Sequence, residues 1–285
     1  MNNRIKLREE RVMRNLAAGA TYSVIALLLF IIGVIFVKGA GALSFGMMLE
    51  LPKGGFYYGG EGGIANAIVG SVYIAVGATL LAVIVGMPIA LFLNVYLIRY
   101  QRAQSAIRYF LDTLWGIPSI VYGAFGFTLM LYLGMSASLL AGIITVALLI
   151  TPILVRTFDD VLCTIPRGLY EASFALGSGK GETAFRVIFR QGFSGFITAL
   201  LLAFGRGIGD AASVLFTAGY TDLIPEHLDD PAATLPLAIF FQLGSPIPEV
   251  RARAFASAAI LTLLILAISL IARYLSRKYS INVIK

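Results

Sequence analysis

LLLAFGRGIGDAASVLF, residues 200–216, is an apolar run with Arg206 and Asp210 near its middle. Whether this run lies in water or in lipid decides the fold. A charged side chain at the centre of a membrane-spanning helix costs about 2.5–3.5 kcal/mol on insertion scales, so a charge kept there is by default functional. Composition gives the setting. Hydrophobic residues make up 59% of the 285 and charged residues only 13%, and the apolar ones fall in runs near the ~20 that a bilayer requires. The chain reads as an all-α integral membrane protein with about six transmembrane helices, near 16–37, 66–97, 109–133, 137–155, 193–219 and 253–274. A basic cytoplasmic segment (1–15) precedes the first helix, and an outer loop (38–65) follows it. The core (66–274) holds an inner loop at about 156–191 and an outer loop at about 220–252, before a cytoplasmic tail (275–285).

Basic residues set the orientation. With both termini cytoplasmic, Arg4, Lys6, Arg8, Arg11 and Arg14 fall inside, followed by Arg99, Arg102 and Arg108. Arg156, Arg167, Lys180, Arg186 and Arg190 join them from the inner loop, and Arg273, Arg277, Lys278 and Lys285 from the tail. Lys38, Lys53, Arg251 and Arg253 are left outside, and Arg206 within a span. This positive-inside asymmetry means that the net charge of +7 reflects topology and anionic lipid, with no nucleic-acid partner implied. The first apolar run is long, follows a charged segment and has no small-residue cleavage site, so it reads as a retained span.

Several positions carry local expectations. The 66–97 run is longer than an upright span needs, which predicts a tilt or an emergent end with a kink at Pro88; Pro118 is a second point of flexibility or packing. A tight hairpin through Gly134, Met135 and Ser136 joins the third and fourth spans. Cys163 is the single cysteine, so neither an intrachain disulfide nor a thiolate metal cluster can form. His227 lies in PEHLDD (225–230), which reads as a solvated loop with an aspartate cap in preference to a metal site.

The inner loop RTFDDVLCTIPRGLYEASFALGSGKGETAFRVIFRQ (156–191) carries the most specific information. It has helical patterning on both sides of a glycine-rich break and stays apolar enough to want a partner surface. Pro166 can start a short helix, Glu171 is expected in its first turns, and Gly177 can end it with positive φ. GSGKGET (177–183) is no phosphate-binding P-loop: Phe174 stands where the first glycine belongs and Gly181 where a magnesium-binding hydroxyl belongs.

Glu171-Ala172-Ser173, then Gly177, then Val187, resembles the EAA loop with which permeases of ABC importers engage their ATPases; Tyr170 adjoins it. Phe189-Arg190 replaces the apolar-proline close of that pattern. EGGIANAIVGS (61–71), GIPSIVYGAFG (116–126), IPRGLYEASFALG (165–177), GRGIGDAASVLFTAG (205–219) and TLPLAIF (234–240) are similar, in order and spacing, to the PstA-type permeases of phosphate importers. Members of that family usually carry glutamate at the place of Asp210 and a proline near Ser213. The resemblance implies a cytoplasmic-membrane subunit of a prokaryote. Its partners would be a second related permease, two cytoplasmic ATPase subunits and an extracytoplasmic phosphate-binding protein. ATP and magnesium would be bound on the ATPases and no cofactor by this chain. Tyr170, Glu171, Ala172, Ser173 and Gly177 would engage the ATPase, and Arg206 would lie on the substrate pathway.

Physical chemistry selects the same arginine, because a guanidinium keeps its charge and offers phosphate oxygens a planar fork. At helical rise Arg206 lies roughly 20 Å from Phe193, and Asp210 is expected one turn further out on the same face. There it either moderates the arginine so that an anion leaves as well as binds, or simply neutralises it in a closed bundle. Gly205, Gly207 and Gly209 fit both readings, since small residues allow close approach. Sulfate or molybdate would suit an arginine as well as phosphate, and a secondary carrier is a further alternative, although no internal repeat marks one. Gly207-Ile208-Gly209-Asp210 also matches the GxGD motif of intramembrane aspartyl proteases, but the other aspartate available, Asp112, lies toward the opposite face of the membrane.

Overall fold

The computed structural model describes residues 3–53 and 61–279. Residues 1–2, 54–60 and 280–285, and with them part of the predicted first outer loop and Lys285 of the tail, lie outside the described residues.

Most of what is described is helical. Helix α1 (Asn3–Gly39) leads through the short α2 (Phe45–Leu49) and a two-residue antiparallel ribbon, β1 (Pro52–Lys53) with β2 (Glu61–Gly62), into α3 (Ala65–Leu91). α1 stands at the edge. It packs along α11 (Pro248–Tyr279), where Gly39 lies against the backbone of Phe255 and Ala256, while Leu27, Leu29 and Phe30 stay more than half exposed. A helix so apolar and so little covered is solvated by lipid tails or by another subunit.

α3 passes Pro88 without ending. Instead the backbone widens just beyond, into a π turn at Phe92–Tyr96 where the Leu97 N–H reaches the Phe92 carbonyl at 3.1 Å. The predicted third span is two helices, α4 (Gln101–Trp115) and α5 (Ser119–Tyr132), bent by 93° at Gly116-Ile117-Pro118. Pro118 lacks an N–H and biases Ile117 away from helical angles, so the helix must break there. The Tyr122 hydroxyl donates to the Leu114 carbonyl at 2.9 Å and fixes the elbow. α4 is strongly amphipathic, and Asp112 sits half-exposed on it rather than inside a span.

α6 (Leu139–Cys163) is the central column, packed on α3, α4, α5 and α9 (Phe189–Ile208). It begins after the positive-φ Gly134 of the predicted hairpin and runs well past the expected end at 155. The inner loop then forms α7 (Arg167–Ala175), a glycine turn, the short α8 (Lys180–Glu182), and a π turn (Thr183–Ile188) that continues into α9. From Lys180 to Ile208 this is one 29-residue rod. Among the described residues five helices are long and apolar enough to cross a membrane, and the bent α4–α5 pair makes up to six.

Two expectations fail at the outer end. The predicted outer loop at 220–252 contains a further helix, α10 (Leu235–Leu243), packed on α11. The fifth span stops at Ile208, and residues 209–234 run back as a chain of turns with Ser213, Thr217, Ala218, Ala232 and Ala233 fully buried. Three glycines within five residues weaken the helix by about 1 kcal/mol each relative to alanine, and a following aspartate competes for backbone N–H groups. The turn segment is held by α6, whose first donors it satisfies: Ser138, Leu139 and Leu140 donate to the carbonyls of Thr217, Asp230 and Leu228 at 2.9, 2.7 and 2.9 Å.

Candidate functional site

Arg206 occupies the last turn of α9 and is exposed, with no ion-pair partner among the described residues. Its position lets the negative end of the helix dipole support the cation. Asp210 is not on the same helical face one turn out: it lies beyond the helix, is 9% exposed, and accepts from the Ser213 N–H at 2.8 Å. The sequence-level pairing is therefore replaced by an exposed guanidinium beside a carboxylate engaged by a turn. The three glycines also separate in role. A Cβ on Gly205 would meet open space, one on Gly207 would sit 3.1 Å from Val146, and one on Gly209 would sit 3.4 Å from the Gly205 carbonyl. Gly207 thus serves the packing of α9 on α6, and Gly205 keeps the surface beside Arg206 clear.

This geometry predicts how Asp210 variants behave. Asp210→Asn retains an acceptor for Ser213 and strands no paired cation, so the protein assembles as wild type. Asp210→Ala removes the acceptor and lowers stability by about 1–2 kcal/mol. Thermal unfolding of the detergent-solubilised protein checks both; a large loss in Asp210→Asn would mean that the carboxylate charge itself holds the site together.

The protease reading finds no aspartate dyad. Asp112 accepts from Arg156 at 2.6 Å while Asp210 accepts from Ser213, and nothing links the two carboxylates. His227 lies in a capped turn: the Asp230 carboxylate accepts from the N–H groups of His227 and Glu226, which hold it below the usual carboxylate range.

At the opposite end, α7 turns Tyr170 and Ser173 inward and leaves Glu171, Ala172, Phe174 and Leu176 on the outside. Burial pushes the Tyr170 phenol up to about 12. Glu171 sits mid-helix, beyond the reach of the first-turn dipole, so its charge is a surface feature. Gly177 has φ +83° as predicted. The N–H groups of Ser178 and Gly177 bond back to the carbonyls of Ser173 and Phe174, closing the helix with two reciprocal bonds. The Ser173 and Thr183 hydroxyls, 2.9 Å apart and buried, tie α7 to the rod that follows. Leu176, at 87% exposure, caps an apolar knob that nothing among the described residues covers.

Sequence reasoning missed a buried ion cluster between these two ends. Asp159, fully buried, accepts from Arg108 Nε and Nη2 at 2.8 Å each, from Asn94 Nδ2 at 2.7 Å, and from Arg156. Arg156 also pairs with Asp112 at 2.6 Å and with Asp160 at 3.4 Å. The available signal is Arg108 and Asp112 four apart on α4, with Arg156, Asp159 and Asp160 at helical spacing on α6; by charge alone these arginines mark only the inner side.

The family model of the binding-protein-dependent transport system inner membrane component matches residues 86–281. The phosphate transport system permease protein PstA of Haemophilus influenzae is 32% identical over 279 residues, covering 95% of this chain and 96% of that one. The protein of the same description from Mycobacterium leprae is 35% identical over 213 residues, covering 73% and 69%. Among solved structures, a chain of the MetNI methionine ABC transporter in an inward-facing conformation aligns with a TM-score of 0.62 at 18% identity, covering 76% of this chain and 95% of that one.

Proposed function

This chain belongs to the family of inner membrane components of binding-protein-dependent transport systems, and from that footing we propose that it is the permease subunit of an ATP-driven importer of inorganic phosphate. The observation that carries the reading is Arg206, a guanidinium left exposed and without an ion-pair partner among the described residues at the end of a membrane-length helix. An exposed cation at the end of a span is placed to receive an anion, and its planar fork suits a tetrahedral oxyanion. Full-length similarity to phosphate permeases selects phosphate over sulfate and molybdate.

The division of labour follows from the two ends of the Lys180–Ile208 rod. At the outer end Arg206 receives the anion delivered by an extracytoplasmic binding protein and discharges it into a pathway shared with a second, related permease. At the inner end α7 presents Leu176 and Phe174 to an ATPase subunit, which holds the ATP and magnesium. The chain itself performs no hydrolysis. The resulting localisation is the cytoplasmic membrane of a prokaryote, with lipid against α1.

The test is co-expression with candidate permease and ATPase partners, purification, and reconstitution into liposomes. Uptake of radiolabelled phosphate should require ATP and the binding protein, and excess sulfate or molybdate should leave it unchanged. Uptake driven by an ion gradient without any ATPase would make the chain a secondary carrier, and competition by sulfate would reassign the substrate.

A further inference from the structure

Asp159 occupies an unusual junction. It is fully buried, and its partners come from three elements: Arg108 from α4, Asn94 from the π turn that ends α3, and Arg156 from α6 itself. Only Thr164, Ile165 and Pro166 separate the end of α6 from α7. The cluster and α7 also share a cavity of about 240 Å³, to whose wall Asn94, Arg108 and Cys163 contribute from one side and Arg167 and Tyr170 from the other. Whatever moves α7 therefore acts on a wall that this cluster shares.

The contacts continue outward. α4 passes through the elbow at Pro118 into α5, and Gly123 of α5 lies so close to the segment after α9 that a Cβ there would sit 2.6 Å from the Ala212 carbonyl. Ala212 and Ser213 form the turn that the Asp210 carboxylate closes, four residues past Arg206. A continuous set of packed and hydrogen-bonded parts thus joins α7 to the neighbourhood of the arginine.

We propose that Asp159 is a positioning residue for transport: it binds α4 and the π turn to the inner end of α6, so that displacement of α7 by an ATPase is carried through α4 and α5 to the turn beside Arg206. This rests on the reading of the chain as an importer permease. A bundle held only by apolar contacts would let α4 slide on α6. A carboxylate held by four donors in a buried site does not, because sliding α4 away would part Asp159 from Arg108 and leave the buried carboxylate short of its bidentate partner. The cluster thereby behaves as a rigid joint with few arrangements, which is what transmission over distance requires.

The experiment compares the assembled wild-type transporter with Asp159→Asn and with the double variant Arg108→Gln/Asp159→Asn, in liposomes. The single variant strands Arg108 and assembles poorly. The double variant removes both charges of the bidentate pair, leaves Arg156 with Asp112 and Asp160, and restores assembly. Its expected signature is uncoupling: ATP hydrolysis persists but loses its dependence on phosphate-loaded binding protein, and phosphate moved per ATP falls about tenfold. A purely structural role would lower both rates in proportion to the amount assembled, leaving that ratio unchanged. A wild-type ratio in the double variant overturns the proposal, and so does failure of the double variant to assemble, since either makes the cluster scaffold alone. Should wild type itself show no phosphate-dependent ATP hydrolysis, the importer reading fails first.

Discussion

Arg206→Ala abolishes phosphate uptake by the reconstituted transporter, a fall of about 100-fold or more, while the protein still inserts and assembles. The size is that of a charge-assisted, two-pronged contact to the anion, worth about 3 kcal/mol. Assembly survives because Arg206 is exposed and takes part in no ion pair among the described residues, so its removal strands no carboxylate. Arg206→Lys rescues little, since an ammonium supplies the charge as a point and lacks the fork. Initial uptake rates, normalised to assembled complex, check the expectation. Near wild-type uptake by a stable Arg206→Ala complex would remove the residue from the pathway and leave it as a helix-terminal cation.

The second large effect belongs to Gly177. Its φ of +83° lies in the left-handed region, where a Cβ costs roughly 1–2 kcal/mol and a β-branched residue more. Nothing lies within 4 Å of the position a Cβ would take, so the penalty is conformational rather than steric. Gly177→Val relieves it by opening the turn, which pulls Ser173 from Thr183 and swings α7 off its register with the rod. ATP hydrolysis stimulated by loaded binding protein, and uptake with it, fall together by about tenfold or more. Gly177→Asn, which tolerates the same backbone, stays near wild type. Glu171→Lys, on the exposed side of α7, weakens coupling through the partner surface without disturbing the turn. If Gly177→Val altered only the affinity for phosphate, α7 would not be the docking element.

Much of this was legible in the residues, for reasons that differ by region. Apolar runs separated by arginine-rich stretches carry the membrane fold and its orientation, because bilayer thickness and surface charge act on composition alone. The turn at Gly177 was legible because glycine is the residue most at ease with a left-handed backbone. The end of α9 was not. Apolar residues continue through Val214, Leu215 and Phe216, yet the helix stops at Ile208 because the glycines weaken it and Asp210 offers the backbone a competing bond. The same failure moved Asp210 from a predicted partner of Arg206 to the cap of a neighbouring turn. Asp159 was illegible for another reason. A carboxylate on the inner side of a span reads as solvated until the packing of α4 on α6 shows that water cannot reach it. Its partners Asn94 and Arg108 are distant in sequence, and the helical spacing of Arg108 with Asp112 and of Arg156 with Asp159 and Asp160 does not say that the two sets meet.

The opening turn of α6 carries a consequence for how the protein is made. Its bare donors at Ser138, Leu139 and Leu140 are closed by carbonyls of Thr217, Leu228 and Asp230, residues that leave the ribosome long after α6 itself. During synthesis the central column therefore enters the membrane with its first turn unfinished, its donors left to water at the outer surface until the rest of the chain arrives. The outer end of the bundle is a seam sewn last. A nascent chain halted before residue 217 would lack α10 and α11 as well as those carbonyls, and that end would still lie open.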